Sequence, residues 1–483
     1  MAPDGLPLPQ TGLHIGGAWR NASDGGTIDV INPATEAVLA SVASATAEDG
    51  MAAVDAAYDA GPAWAATAPR ERAEILRRSF ELMIARKEEV AQLIVRENGK
   101  AMPDALGETV YAAEFFRWYA EEAVRNISDL YTAPSGANRI MVVQQPVGVS
   151  LLITPWNFPA AMGTRKIGPA LAAGCTVILK PASETPLTAL LISEILSEAG
   201  VPDGVVNVLS ARGSSGIIEK MLQDPRVRKL SFTGSTQVGR VLLAQAAQSI
   251  VNCSMELGGN APFIVFADAD IDAAVEGAMI AKMRNGGEAC TAANRFYVQT
   301  PVIEEFSEKF GAAMAALKVG PGLDAGVQLG PLVNAESRDK VAGFVADAIE
   351  RGAKLVTGGN AIDGRGYFYA PTVLTNVDPD SELCHDEIFG PVAPIIGFET
   401  VDEAVARAND TEYGLISYIY TQDIAKGLAV AERIESGMVG LNRGVVSDPA
   451  APFGGMKQSG IGREGAHDGM LEFLEKKYIA LSW

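Results

Sequence analysis

The chain has 483 residues, 48% hydrophobic and 20% charged, the profile of a soluble globular protein too long for one core. Its net charge of −20 sets it against phosphate backbones and anionic membranes, so neither nucleic acid nor membrane is expected as a partner. Four scattered cysteines and three histidines make a disulfide scaffold or a metal site unexpected. The opening "MAPDGLPLPQTG" lacks the basic and apolar regions of a secretory leader, and no apolar run nears the ~18 residues of a membrane span. A reducing cytoplasm is the expected setting, where a thiol stays available for chemistry.

Residues 48–100 carry apolar side chains at three- and four-residue spacing with charges between, which predicts helices, and Gly99 offers a stop. "NRIMVVQQPVGVSLLIT" changes to strand-like runs broken at Pro146. From Val149 short apolar runs alternate with helical stretches: "VSLLIT", "TVILK", "VVNVLS" and "KLSFTG" each precede a helix of about a dozen residues. That alternation predicts an α/β fold with a doubly wound parallel sheet, whose strand ends hold a ligand. A second alternating region, from about Asn260 to Phe453, predicts a separate α/β domain. The terminal "KYIALSW" reads as a strand able to pair with the edge of another chain.

Five short stretches carry candidate chemistry, and each also has a plain structural reading. "TPWNFP" holds Asn157 between aromatics and prolines, either a rigid corner or a fixed amide donor for an oxyanion. "VILKPASETP" puts Lys180 at a strand end, as a solvated lysine or a contact for ribose and phosphate. "KLSFTGSTQVGR" turns at Gly234 into a helix, an ordinary βα turn or a seat for pyrophosphate. "MELGGNAPF" offers Glu256 as a surface charge or a general base. "NGGEACTAAN" presents Cys290 behind two glycines and an acid, as an inert thiol or a nucleophile.

Taken together with "EIFGPV" and "PFGGMKQSGIGREG", these stretches resemble, in order and over nearly the whole chain, the aldehyde dehydrogenase superfamily. Within it the sequence is most similar to the bacterial NADP-dependent succinate-semialdehyde dehydrogenases, on "WNFPAAMGTRKIGPALAAGCTVILKPAS" and "ELGGNAPFIVF". The resemblance implies a homodimer or homotetramer with three parts. Residues 1–127 and 147–257 would bind the cofactor, 258–455 would be catalytic, and 128–146 with 456–483 would form a small β oligomerisation element. It implies that Cys290 is the nucleophile, Asn157 the oxyanion donor and Glu256 the base, with Lys166 and Glu464 relaying protons. Thr154, Trp156 and Leu257 would contact the cofactor. So would Lys180, Ser183, Gly234 and Ser235, with Glu387 and Phe389 at the nicotinamide end.

Ser183 stands where NAD-preferring members often carry a glutamate, so NADP is expected, with NAD also possible and Glu184 blunting the preference. Arg165, Arg284 and Ser447 correspond to contacts with a substrate carboxylate, and the two arginines would also lower the thiol pKa. The implied reaction is oxidation of a short carboxylated aldehyde to its acid through a thioester on Cys290. A dehydrogenase of a longer or aromatic aldehyde, a coenzyme A-acylating enzyme and a non-catalytic cofactor-binding protein stay open from the residues alone. Glu288, two residues before the nucleophile, is an acid where an anionic substrate would approach.

Overall fold

The computed structural model describes residues 7–125 and 127–482. The first six residues of the opening segment and Trp483, the end of the predicted last strand, lie outside them. Helices occupy Ala47–Ala66, Pro69–Ala85 and Lys87–Asn98, where periodicity predicted them. Thr46 and Asp49 form a capping box at the start of the first, the Thr46 N–H donating to Asp49 Oδ2 at 2.9 Å. The third stops at Gly99, whose φ of 100° is the left-handed value a helix end favours.

The first large sheet has eight strands in the order Ala18–Arg20, Leu13–Ile15, Val206–Val208, Val177–Lys180, Val149–Ile153, Val227–Thr233, Asn252–Glu256, Gly460–Ile461. The middle five run parallel. Alternate side chains enter two different cores: Leu151, Ile153 and Ile178 pack on one face, Leu152, Val177 and Leu179 on the other. Coverage on both faces is why these strands read as continuous apolar runs. From Val149–Ile153 the chain winds outward through two strands, then returns to lay Val227–Thr233 on the opposite side. The order reverses there, and the crevice beyond those two strand ends is the place such a sheet offers a ligand.

Only residues 257–260 separate this sheet from the second, which has seven strands centred on Ala293–Gln299 and Ala261–Val265. All its pairings are parallel except Lys354–Thr357 with Thr372–Thr375. A third, three-stranded sheet joins Asp129–Thr132, Arg139–Pro146 and Leu474–Leu481.

The stretch expected as one C-terminal oligomerisation element, 456–483, divides. Met456–Lys457 pairs with Tyr413–Gly414 and Gly460–Ile461 pairs with the end of the first sheet; only Leu474–Leu481 joins the small sheet. The strand expected to pair with another chain is bonded along its length to Arg139–Pro146 of its own chain.

Candidate active site

Helix Ile271–Met283 begins on Asp270, whose carboxylate accepts from the Ala273 N–H, and ends in a tight turn over Arg284–Gly287. Three successive residues there are left-handed: Asn285, Gly286 and Gly287, with φ of 55°, 63° and 82°. At Gly287 a side chain would put Cβ 2.2 Å from the Gly390 carbonyl oxygen, so only glycine fits. Asn285, which is not glycine, is held by its own amide: Nδ2 donates to the carbonyls of Asn157 at 2.8 Å and Glu288 at 2.9 Å. Its backbone N–H donates to Asp104 Oδ2 at 3.0 Å. Cys290 follows, half-buried, with its carbonyl against Gly259, where a Cβ would lie 2.6 Å away. The paired glycines of both motifs therefore serve close backbone approach.

Asn157 follows strand Val149–Ile153 and is tied to the same turn. Its Nδ2 donates to the Glu288 carbonyl at 3.1 Å, and its own carbonyl accepts from Lys100 Nζ at 2.7 Å. The nucleophile turn of one sheet and the amide loop of the other are thereby locked together. Cys290 and Asn157 line one cavity of about 450 Å³, which passes Trp156, Leu257, Glu387 and Phe389 and reaches Gly234 and Ser235. A second cavity of about 620 Å³ shares Gly234, Ser235 and Glu184 with it and is lined by Thr154, Lys180, Ser183 and an apolar wall including Val238 and Val241.

These cavities fit an elongated dinucleotide. Ser235 caps helix Thr236–Ala247, its Oγ accepting from the Val238 N–H at 3.4 Å, so a helix start faces the junction of the cavities. Phe389 takes a left-handed φ of 55° and sets its ring perpendicular to Trp156 at 5.3 Å. Burial pushes the Glu387 carboxyl up to about 7, against the Gly259 N–H, Lys340 and Lys282, which favour its charge. Burial lowers the Lys180 ammonium, and Glu184 opposes that. Val238 and Val241 were not expected in the cavity wall. Their signal was a pair of large apolar residues three apart in the first turns of a helix, 47% and 52% exposed in the structure.

Below Cys290 lies a buried charge cluster. Burial and Glu464 push the Glu256 carboxyl well above the usual carboxylate range, against Arg165, Lys166 and Arg463. Neither of its oxygens has a hydrogen-bond partner among the described residues. Burial would raise Glu464 too, but Arg165 and Lys166 outweigh it and hold that carboxyl low. Lys166 Nζ donates to Glu464 Oε1 and to Ser231 Oγ at 2.9 Å.

Arg165 belongs to this cluster. Its Nε lies 2.5 Å from Glu464 Oε2, its guanidinium sits 4.2 Å over the Phe453 ring, and it lines neither cavity. Its charge is shared with Glu464 and also reaches the Cys290 thiol. Arg284 and Ser447, in contrast, are brought together half-buried, Nη1 donating to Oγ at 3.3 Å.

Two further expectations change. Burial pushes the Cys290 thiol up to about 12; Arg165 and Arg284 pull it down as predicted, yet desolvation outweighs them, with Glu387 and Glu256 adding to it. Glu288 turns away from the nucleophile. Its Oε1 accepts from the Val333 N–H at 3.1 Å beside Lys100 and Asp104, in a separate small cavity.

Residues 19–479 match the aldehyde dehydrogenase family. A succinate-semialdehyde dehydrogenase from Paenarthrobacter nicotinovorans is 55% identical over 92% of this chain and 99% of its own length. A glutarate-semialdehyde dehydrogenase from Pseudomonas aeruginosa is 50% identical, covering 97% of each. The crystal structure of an NADP-dependent enzyme from Escherichia coli superposes with a TM-score of 0.98 at 47% identity, covering 100% of both chains.

Proposed function

The chain belongs to the aldehyde dehydrogenase family, and from that premise we propose that it oxidises a short carboxylated aldehyde, succinate semialdehyde or a close homologue, to the acid with NADP. The observation that carries this reading is the meeting of Cys290 and Asn157, on loops from two different sheets, at the end of a cavity shaped for a dinucleotide. Residues 1–127 and 147–257 would hold the cofactor and 258–455 would supply the nucleophile. Lys180, Ser183 and the helix start at Gly234–Ser235 would bind its ribose and phosphates, with Thr154 beside them. Trp156, Leu257, Glu387 and Phe389 would frame the ring. NADP, when bound, supplies the two-electron acceptor for the hydride leaving the substrate carbon.

In this reading Cys290 gives its proton to Glu256 as Sγ bonds the aldehyde carbon. The carbonyl electron pair moves to oxygen, where the free hydrogen of the Asn157 amide stabilises it by ~3 kcal/mol. Once the acyl group is left on sulfur, Glu256 takes a proton from water, the new C–O bond forms and the C–S bond breaks. Glu464 and Lys166, hydrogen-bonded to each other, carry protons away from Glu256 between the two halves. Burial and Glu464 raise the Glu256 carboxyl, which makes its carboxylate a stronger proton acceptor. Arg284 with Ser447 is the pair that would hold the substrate carboxylate.

The small sheet, with Leu130 61%, Tyr131 51% and Tyr478 58% exposed, is the face we assign to a second copy of the chain. Four free cysteines suit a reducing cytoplasm, and no helix among the described residues is long and apolar enough to cross a membrane.

The test is steady-state turnover of succinate semialdehyde and of propanal with NADP, with the products identified. Free succinate should form, Cys290→Ala should fall to background, and Glu256→Gln should lose about 10²–10³ in kcat. An acyl-coenzyme A product, or a preference for propanal, would overturn the reading.

A further inference from the structure

Beside the proposed NADP contacts lies a carboxylate that the reaction does not use. Strand Val177–Lys180 ends on Lys180, and helix Pro186–Glu198 begins after the five residues 181–185. Between them Glu184 is half-buried and lines both cavities, at their junction. Ser183 Oγ donates to Glu184 Oε2 at 3.1 Å, and the Glu184 charge reaches the Lys180 ammonium.

A serine hydroxyl has one hydrogen and two lone pairs. With that hydrogen given to Glu184, Ser183 offers the cavity only lone pairs, which can accept from a ribose 2′-hydroxyl but cannot donate to a phosphate oxygen. The cation that would attract a 2′-phosphate, Lys180, is partly neutralised by the same carboxylate. A phosphomonoester carrying about −2 charge then meets one attraction and one repulsion of similar range.

From this geometry we propose that Glu184 is a specificity-determining residue, which withholds the Ser183 hydrogen from a 2′-phosphate, opposes Lys180, and keeps NAD usable in a site otherwise suited to NADP. The inference rests on the cofactor reading above. It goes further in naming the one side chain that sets the ratio between the two cofactors.

Glu184→Gln keeps the shape, removes the charge and leaves the Ser183 hydrogen only a neutral, weaker acceptor. In the full-length enzyme at saturating aldehyde, the ratio of kcat/KM for NADP to that for NAD should rise about fivefold or more, mainly through the NADP KM. Ser183→Ala should move the ratio the same way by lowering kcat/KM for NAD, since it removes an acceptor for the 2′-hydroxyl. A carboxylate near the start of a helix also has a purely structural use. If that were its whole role, Glu184→Gln would lower the Tm or weaken both cofactors together, leaving the ratio within about threefold of wild type, and the proposal would fall. Lys180→Met separates the underlying reading. If neither cofactor's KM responds, the ribose site itself lies elsewhere and both inferences fail; if NADP binding weakens while Glu184→Gln leaves the ratio unmoved, only this one does.

Discussion

Arg165 and Arg284 are both arginines close to the nucleophile, yet their surroundings give them different work. Arg165 is 1% exposed and shares Glu464 with Lys166, so replacing it with alanine leaves that buried carboxylate one cation instead of two. Losing one of the two buried cations should lower the Tm, and Arg165→Ala should slow every aldehyde alike. Arg284 has a serine partner and two aromatic neighbours, Phe158 at 5.0 Å and Tyr111 at 5.6 Å, and makes no ion pair among the described residues, although its charge reaches Asp104. Arg284→Ala should raise the KM for succinate semialdehyde about tenfold or more while that for propanal changes little. Equal effects on both aldehydes would remove Arg284 from the carboxylate site. The sequence supplied both residues but not this division, because Glu464 lies 299 positions from Arg165 and only folding brings them together. The thiol was misread for a related reason. Its neighbours were legible, but how far the site is dried was not. With the Cys290 thiol up at about 12, iodoacetamide alkylation of the cofactor-free protein should climb about tenfold per pH unit between pH 7 and 9, without levelling off. A plateau below pH 8 would show a thiolate already formed.

Among the elements, parallel strands buried on both faces announced themselves as apolar runs, and the alternation from Val149 onward was legible for that reason. Helix Met102–Glu122 was not. Its buried stripe of Ala105, Ala112, Ala113 and Phe116 is interrupted by Glu108 and Thr109, two polar residues facing the core. Glu108 is there for a purpose outside its own helix: Oε1 accepts from the Ala160 and Ala161 N–H groups at a helix start, and Oε2 from Lys100. The turn bearing the nucleophile was recognisable by its glycines, but not the direction of Glu288, which depends on the distant Val333. Burial pushes the Glu288 carboxyl up to about 8 from its usual 4.5, with the Val333 N–H and Lys100 opposing. Below pH about 4.5 the folded and unfolded chains both hold that proton. From there to about 8 the unfolded chain loses it while the folded one keeps it, so native stability falls by roughly 1 kcal/mol per pH unit. Above 8 the loss is complete and constant. Glu288→Gln keeps an oxygen for Val333 and removes the titration. It should therefore raise the Tm clearly at pH 8 and scarcely at pH 5, and an equal rise at both would show that the ionisation contributes nothing.

At the scale of the molecule, two sheets each hold half of the site, and the chain passes between them twice. The first passage is the four residues after Glu256; the second is the C-terminal segment that lays Gly460–Ile461 on Met255–Glu256 and delivers Glu464 to Lys166. This second passage explains why 456–464 is no part of an outlying element. Gly460 comes so near the Met255 carbonyl that a Cβ would lie 2.1 Å from its oxygen, a contact that pattern reading cannot foresee. What remains outlying is the three-stranded sheet, and its two edges differ. Leu474–Leu481 carries Lys476 and Lys477, charges that discourage strand addition, whereas Asp129–Thr132 presents Leu130 and Tyr131. An exposed edge of that kind on a chain of net charge −20 is stable in water when covered, and a second copy offers the same edge by two-fold symmetry. Leu130→Lys with Tyr131→Lys should then reduce the mass measured by light scattering to a smaller assembly, with the far-UV spectrum and the Cys290 alkylation rate unchanged, since the large sheets that hold the nucleophile do not include this strand. An unaltered mass for the double variant would place the contact between copies on another face.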